Sequence, residues 1–292
     1  MTAEGSEPVV LPAWLRERVM SASHQVRSPG QAVPEVAEDS PTEAFAHAVD
    51  AFAQMLGLLR PDDWHQAVLR DLDVQGLVGH LTGVERDVQR GIAGDPEVGS
   101  ADHVQSTQPA ALEQQGRPAE ATLAQWRESA DRTLSLADES DLDALVAIYG
   151  IALPLGDLLV ARTFELWTHE NDIRLVTGQP PSAPAPSTLR PMTKLATALL
   201  PFGAAITNLV EPIGVHLVLT GPGGGTWDVA VGEPASDLAP VDIVTDVVGF
   251  CRLFANRISP SDLELHVTGD ERKATSVLAA AAALALDLFT RA

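Results

Sequence analysis

Glu165 and His169 stand four residues apart in the run Phe164-Glu165-Leu166-Trp167-Thr168-His169-Glu170-Asn171-Asp172-Ile173-Arg174. On a helix that spacing stacks the two side chains one turn apart on one face. A carboxylate oxygen and an imidazole nitrogen held that close suit a single divalent ion, which then lacks a third protein ligand. His80, in Gly76-Leu77-Val78-Gly79-His80-Leu81, is the candidate third. Two histidines and one carboxylate would fill three positions on a metal and leave one open for water or substrate, the mark of a catalytic site. Asp172, three residues beyond His169, is placed to accept a hydrogen bond from a ligand histidine. Each residue also has an ordinary reading. Glu165 with His169 makes a plain helix pair, His80 a hydrogen-bonded core histidine, and Asp172 a helix partner for Arg174. Position favours the metal, because these side chains border apolar faces where an unpaired charge is expensive.

Four predicted helices must carry those side chains. Ser40-Pro41-Thr42-Glu43 supplies an N-cap, a first-turn proline and a capping-box glutamate, and Phe45, Val49, Phe52, Leu56 and Leu59 follow at helical spacing. Asp73 caps a second helix whose stripe is Leu77, Leu81, Val84 and Val88, with His80 at its edge. Residues 94 to 118 are polar and rich in proline and glycine, and read as a long loop. His103 lies within it and is the one further histidine kept in view. A third helix runs from about Ala119 to Leu136. The fourth starts near Pro154, carries Leu155, Leu159, Arg162, Leu166, His169, Ile173 and Val176 along one side, and stops at Gly178 before Pro180 and Pro181. Polar groups projecting inward from four helices describe a bundle with a site in its core.

Residues 1–39 form an N-terminal extension with one short helical piece, Ala13 to Ser21, ahead of the bundle at 40–179. The proline-rich stretch 180–191 reads as a linker to a domain at 192–292. There the pattern changes to period two. Val215, Leu217 and Leu219 alternate with more polar residues, then come Gly221-Pro222-Gly223-Gly224-Gly225 and Trp227, Val229, Val231. This is a β-hairpin; the glycine loop lacks the lysine and the following helix of a phosphate-binding loop. Helices at about Asp246 to Asn256 and Arg272 to Arg291, and a strand near Glu264 to Val267, complete a small α/β domain. The expected fold class is α followed by α/β.

The formal net charge of −21 and the lack of a Lys/Arg cluster argue against nucleic-acid and anionic-membrane partners. No stretch reads as a membrane span or secretory leader, so a soluble cytoplasmic protein is expected. Cys251 is the only cysteine, which excludes an internal disulfide and a cysteine metal cage, and its apolar surroundings mark it as core. Arg252 and Arg257 are candidates to grip an anionic substrate bidentately, with salt bridges as the alternative. Lysine occurs only at Lys194 and Lys273, whereas arginine and alanine abound, as in a high-GC bacterial genome.

The His80 segment from Asp71 to Leu81, the Glu165-to-Gly178 run, the stretch Leu217 to Trp227 and the Phe250 to Pro260 segment together resemble the mycothiol-dependent maleylpyruvate isomerase family. The likeness spans about residues 42 to 290. It implies a DinB-like four-helix bundle, with zinc held by His80, Glu165 and His169, followed by a small α/β domain of sterol-carrier type. It also implies a site arginine in the second domain, with Arg252 and Arg257 as the two candidates. On this reading a zinc-held thiolate of mycothiol, the thiol of high-GC actinobacteria, adds to an electron-poor carbon of a small substrate. Rotation and expulsion of the thiol would give isomerisation, and departure of the intact adduct would give S-transfer. A zinc-hydroxide hydrolase, or a non-catalytic binding or regulatory protein stabilised by metal, are the competing readings.

Overall fold

The fold was obtained as a computed structural model that describes residues 37–69, 71–233 and 240–288, the last four as backbone only. The expected helix at Ala13 to Ser21, and most of the N-terminal extension, lie outside the described residues.

The first helix among the described residues, α1 (Pro41–Gly57), begins as its capping box dictates. Glu43 N donates to Ser40 Oγ, and Ser40 N donates to Glu43 Oε2 at 2.8 Å. A small hairpin, β1 (Ala67–Leu69) with β2 (Leu72–Asp73), precedes α2 (Val74–Ile92). Asp73 caps α2 by accepting from Gly76 N at 2.7 Å.

The region 94–118 is not the long loop the composition suggests. It forms α3 (Pro96–Gly99) and α4 (His103–Glu113), the latter capped by Asp102. The physical reason lies in α2 and not in α4 itself. Gly79 and Gly83 leave α2 without side chains on one side, and α4 packs into that gap. A Cβ at Gly79 would fall 2.6 Å from Gln114 Cγ and 2.7 Å from the Ala110 carbonyl oxygen. Tertiary packing therefore makes a helix of a segment with little apolar periodicity of its own. Gly79→Ala should force the two helices apart and lower stability by about 1–3 kcal/mol. Because α4 carries His103 and Thr107, the same variant should bind metal less tightly than the parent. Thermal melting with a metal titration checks both, and unchanged values would refute the close approach.

The third bundle helix is α5 (Ala119–Asp138). It leads through the hairpin β3 (Leu145–Ile148) and β4 (Ile151–Pro154) to α6 (Leu155–Val176). Helix α6 is buried on nearly all sides, as a helix shared between two cores should be. Leu158, Leu159, Leu166 and Ile173 join the bundle core with Phe45, Phe52, Leu77, Leu81 and Trp126. Val160, Ala161, Phe164 and Trp167 join a second core with the residues that follow.

The predicted linker at 180–191 is shorter than expected, because Pro186 opens α7 (Pro186–Ala198). Proline is compatible with a first helical turn, where its missing N–H costs nothing, so Pro186 starts this helix and does not break it. The preceding segment is pinned to α6: Trp167 Nε1 donates to the Ser182 carbonyl at 3.0 Å, and Ser182 N donates to Asn171 Oδ1 at 2.8 Å. After α8 (Leu200–Ile206) comes a four-stranded sheet. Its strands are β5 (Ile213–Thr220), β6 (Gly225–Val231), β7 (Val241–Asp246) and β8 (His266–Thr268), in the order β6-β5-β7-β8.

The hairpin β5–β6 is antiparallel and pairs Leu217 with Trp227 as the alternation suggests, while β7 lies parallel to β5 on its other edge. Ile213, Val215, Leu217 and Leu219 all point to one face of the sheet. There they pack with residues of α7, of α9 (Val247–Phe254) and of α10 (Glu271–Leu288). Cys251 is fully buried in this core, and burial pushes its thiol pKa up, so it is not a reactive thiol. The fold is a four-helix bundle followed by a small α/β layer.

Candidate metal centre

Helices α2 and α6 bring His80, Glu165 and His169 together. One ligand atom from each lies within 4.8 Å of the others, and all three residues are buried. His80 Nε2 is 3.6 Å from Glu165 Oε1. Glu165 Oε1 and His169 Nε2 are buried atoms with no hydrogen-bond partner among the described residues. Buried polar atoms are normally paired, so these two, close together, belong to a group of three residues that could hold a metal ion.

The other nitrogen of each histidine lies within hydrogen-bond distance of a polar side chain. Thr107 Oγ1 spends its single proton on backbone carbonyls, that of His103 at 2.8 Å and that of Val104 at 3.3 Å. In that orientation it accepts from His80 Nδ1, 2.8 Å away, in the tautomer that carries the proton on Nδ1. His169 Nδ1 donates to Asp172 Oδ2 at 2.9 Å, and an ionised carboxylate likewise only accepts. With the protons on Nδ1, both Nε2 atoms are lone-pair donors, the form a metal requires.

Asp172 is itself fixed from the second half of the chain. Arg257, just beyond α9, donates through Nε to Oδ1 and through Nη2 to Oδ2, each at 2.7 Å. Burial raises the Asp172 pKa, but the hydrogen bonds from His169 and Arg257 outweigh it and bring it down to about 2. Arg174, the ordinary helix partner considered for Asp172, pairs with Glu170 at 2.7 Å instead. Glu165 is subject to the same competition. Burial works against its charge, yet the Arg162 guanidinium and the nearby histidines hold its carboxyl well below the usual range. It is ionised at neutral pH.

Arg252 lies elsewhere in the arrangement. Together with Trp167, Thr168, Asn171, Asp172 and Arg257 it lines a cavity of about 180 Å³. Its side chain makes no ion pair or hydrogen bond among the described residues, whereas Arg257 is committed to Asp172.

Three neighbours of the site escape a reading by spacing. His103, at the start of α4, places Nε2 3.8 Å from Glu165 Oε1 and its ring 5.0 Å from that of His80. Tyr149 stacks on His103 at 4.6 Å and donates its hydroxyl to Asp87 at 2.9 Å. It sits with Gly150 at the tip of the β3–β4 hairpin with φ of 52°, a left-handed conformation rare for tyrosine. Glu85, fully buried on α2, pairs with Arg162. A signal for Glu85 existed: it lies four residues after Leu81 and three before Val88, so it falls on the apolar stripe, where a carboxylate demands a partner.

Residues 45–174 match the family described as Mycothiol maleylpyruvate isomerase N-terminal domain. A crystal structure of a mycothiol-dependent maleylpyruvate isomerase resembles this fold with a TM-score of 0.52 at 15% sequence identity, covering 78% of this chain and 91% of that one. A histidine-to-alanine variant of that isomerase gives a TM-score of 0.52 at 13% identity, covering 77% and 91%. No curated protein matches the chain.

Proposed function

We propose, from the match of residues 45–174 to the family described as Mycothiol maleylpyruvate isomerase N-terminal domain, a zinc-dependent enzyme that uses mycothiol or a similar small thiol. Its reaction is isomerisation of, or S-transfer to, a small anionic electrophile. The observation that supports this most is the convergence of His80 Nε2, Glu165 Oε1 and His169 Nε2 on one buried point. Bound zinc would supply the positive charge that lowers the pKa of a coordinated thiol from about 8.5 and so provides thiolate at neutral pH.

The chain's own residues do the rest. Thr107 and Asp172 hold the two imidazoles as Nε2 donors, and Arg257 holds Asp172. Arg252 is the residue assigned to the substrate's anionic group, because it lines a cavity bordered by Asp172 and has no carboxylate partner among the described residues. Trp167 walls the same cavity and would shield the reacting atoms from water. No described helix is long and apolar enough to cross a membrane. A cytoplasmic enzyme of an actinobacterium fits the thiol and the scarcity of lysine.

X-ray absorption on the zinc-loaded protein tests the reading. Saturating mycothiol should introduce a metal–sulfur distance of roughly 2.3 Å. Cys251 is the one protein thiol, and a Cys251→Ser control removes it as a source of sulfur. Arg252→Ala should raise KM for a carboxylated electrophile while leaving the zinc content intact. Absence of sulfur from the metal shell would sink the thiol reading and put zinc-dependent hydrolysis, or a non-catalytic role, in its place.

A further inference from the structure

Behind the metal ligands lies a second buried layer that three ligands alone do not require. Arg162, one helical turn before Glu165, is 1% exposed, and Glu85 is fully buried. Arg162 donates through Nε and Nη2 to Glu85 Oε1, at 3.3 and 2.6 Å. Its remaining nitrogen, Nη1, donates to Glu165 Oε2. Burying two carboxylates and a guanidinium carries a desolvation cost of several kcal/mol per ion, and apolar replacements of such triads are often neutral or stabilising. Stability is therefore a poor reason for this cluster to exist.

Its geometry acts on one atom. With Oε2 held by Arg162, only Oε1 of Glu165 faces His80, and that oxygen has no hydrogen bond among the described residues. Turning the carboxylate so that both oxygens meet one ion would break a charge-assisted bond in a place water does not reach. Arg162 cannot follow the turn, because Glu85 grips the opposite edge of its guanidinium.

We propose that Glu85 and Arg162 form a buried clamp that restricts Glu165 to a single oxygen toward the metal and so keeps a coordination position open for an external ligand. The proposal rests on the metal reading above.

Cobalt(II) loaded in place of zinc into the full-length protein reports coordination number by its visible bands. The parent should show the intense bands of low-coordinate cobalt and gain a sulfur-to-cobalt charge-transfer band with 2-mercaptoethanol. Glu85→Gln combined with Arg162→Met removes the clamp and keeps the net charge of the cluster, leaving the ion as the partner of Glu165. That double variant should lose visible intensity as Glu165 turns both oxygens to the ion, and should lose the thiol band. A folded double variant whose spectrum and thiol response equal the parent's overturns the clamp. X-ray absorption on the parent alone gives a second test independent of any variant's folding, because a carboxylate fitted with two oxygens on the metal also overturns it. A parent that binds no cobalt overturns the metal reading itself, which separates the two failures.

Discussion

Replacing His169 with alanine will strip the protein of most of its bound metal and leave the bundle folded. The proposed ligand set has three members, and His169 Nε2 is a buried atom with no hydrogen-bond partner among the described residues. Without it, Glu165 and His80 are left to hold a divalent ion alone, which is too few protein ligands for a tight zinc site. The fold should survive because the apolar side chains that pack α6 are untouched, including Leu159, Leu166 and Ile173. Elemental analysis should find about one zinc per parent chain and little in the variant. Melting curves add a control. A ligand that binds only the native state stabilises it by mass action, so added zinc should raise the Tm of the parent and not that of the variant. Equal zinc content in the two proteins would refute the assignment of the three ligands.

The parts of this site that could be read from sequence are those set by local rules. The capping box at Ser40, the Asp73 cap and the four-residue spacing of Glu165 and His169 each depend on neighbours along the chain, and each reappears in the structure. Three features depend on neighbours in space. Helix α4 forms because Gly79 and Gly83 open a groove on α2, and nothing in residues 103–113 announces that groove. His103 consequently arrives beside Glu165 from a segment that reads as loop. Strand β7 pairs with β5 on the edge opposite β6, a parallel pairing that no hairpin signal encodes. Arg162 and Glu85 are an intermediate case. Both lie on stripes that should be apolar, which predicts partners but not which ones. Arg252 and Arg257 were equivalent on paper, and only the placement of Asp172 separates them.

That placement makes Asp172→Asn the sharpest test of how the second half of the chain serves the first. Asp172 receives Arg257 from beyond α9 and His169 from α6, so one carboxylate joins the α/β layer to a metal ligand. Asparagine preserves the shape and can still accept from His169, but it removes the negative charge that polarises the imidazole and neutralises Arg257. Loss of such an outer partner should weaken metal affinity by about 10–100-fold. The acid behaviour follows from the depressed pKa. A carboxyl lowered from 3.8 to about 2 contributes stability that is fully present above its ordinary value and is lost only as pH falls toward 2. Across the neutral range the contact is complete, so the variant's defect should not depend on pH there. Competition against a chromophoric chelator measures the affinity. Arg257→Gln should show a defect of the same kind, and the double variant should be no worse than Asp172→Asn alone if Arg257 acts on the metal only through Asp172. Additive defects would mean that Arg257 reaches the site by another route, and an unchanged affinity in Asp172→Asn would remove the link between the two halves altogether.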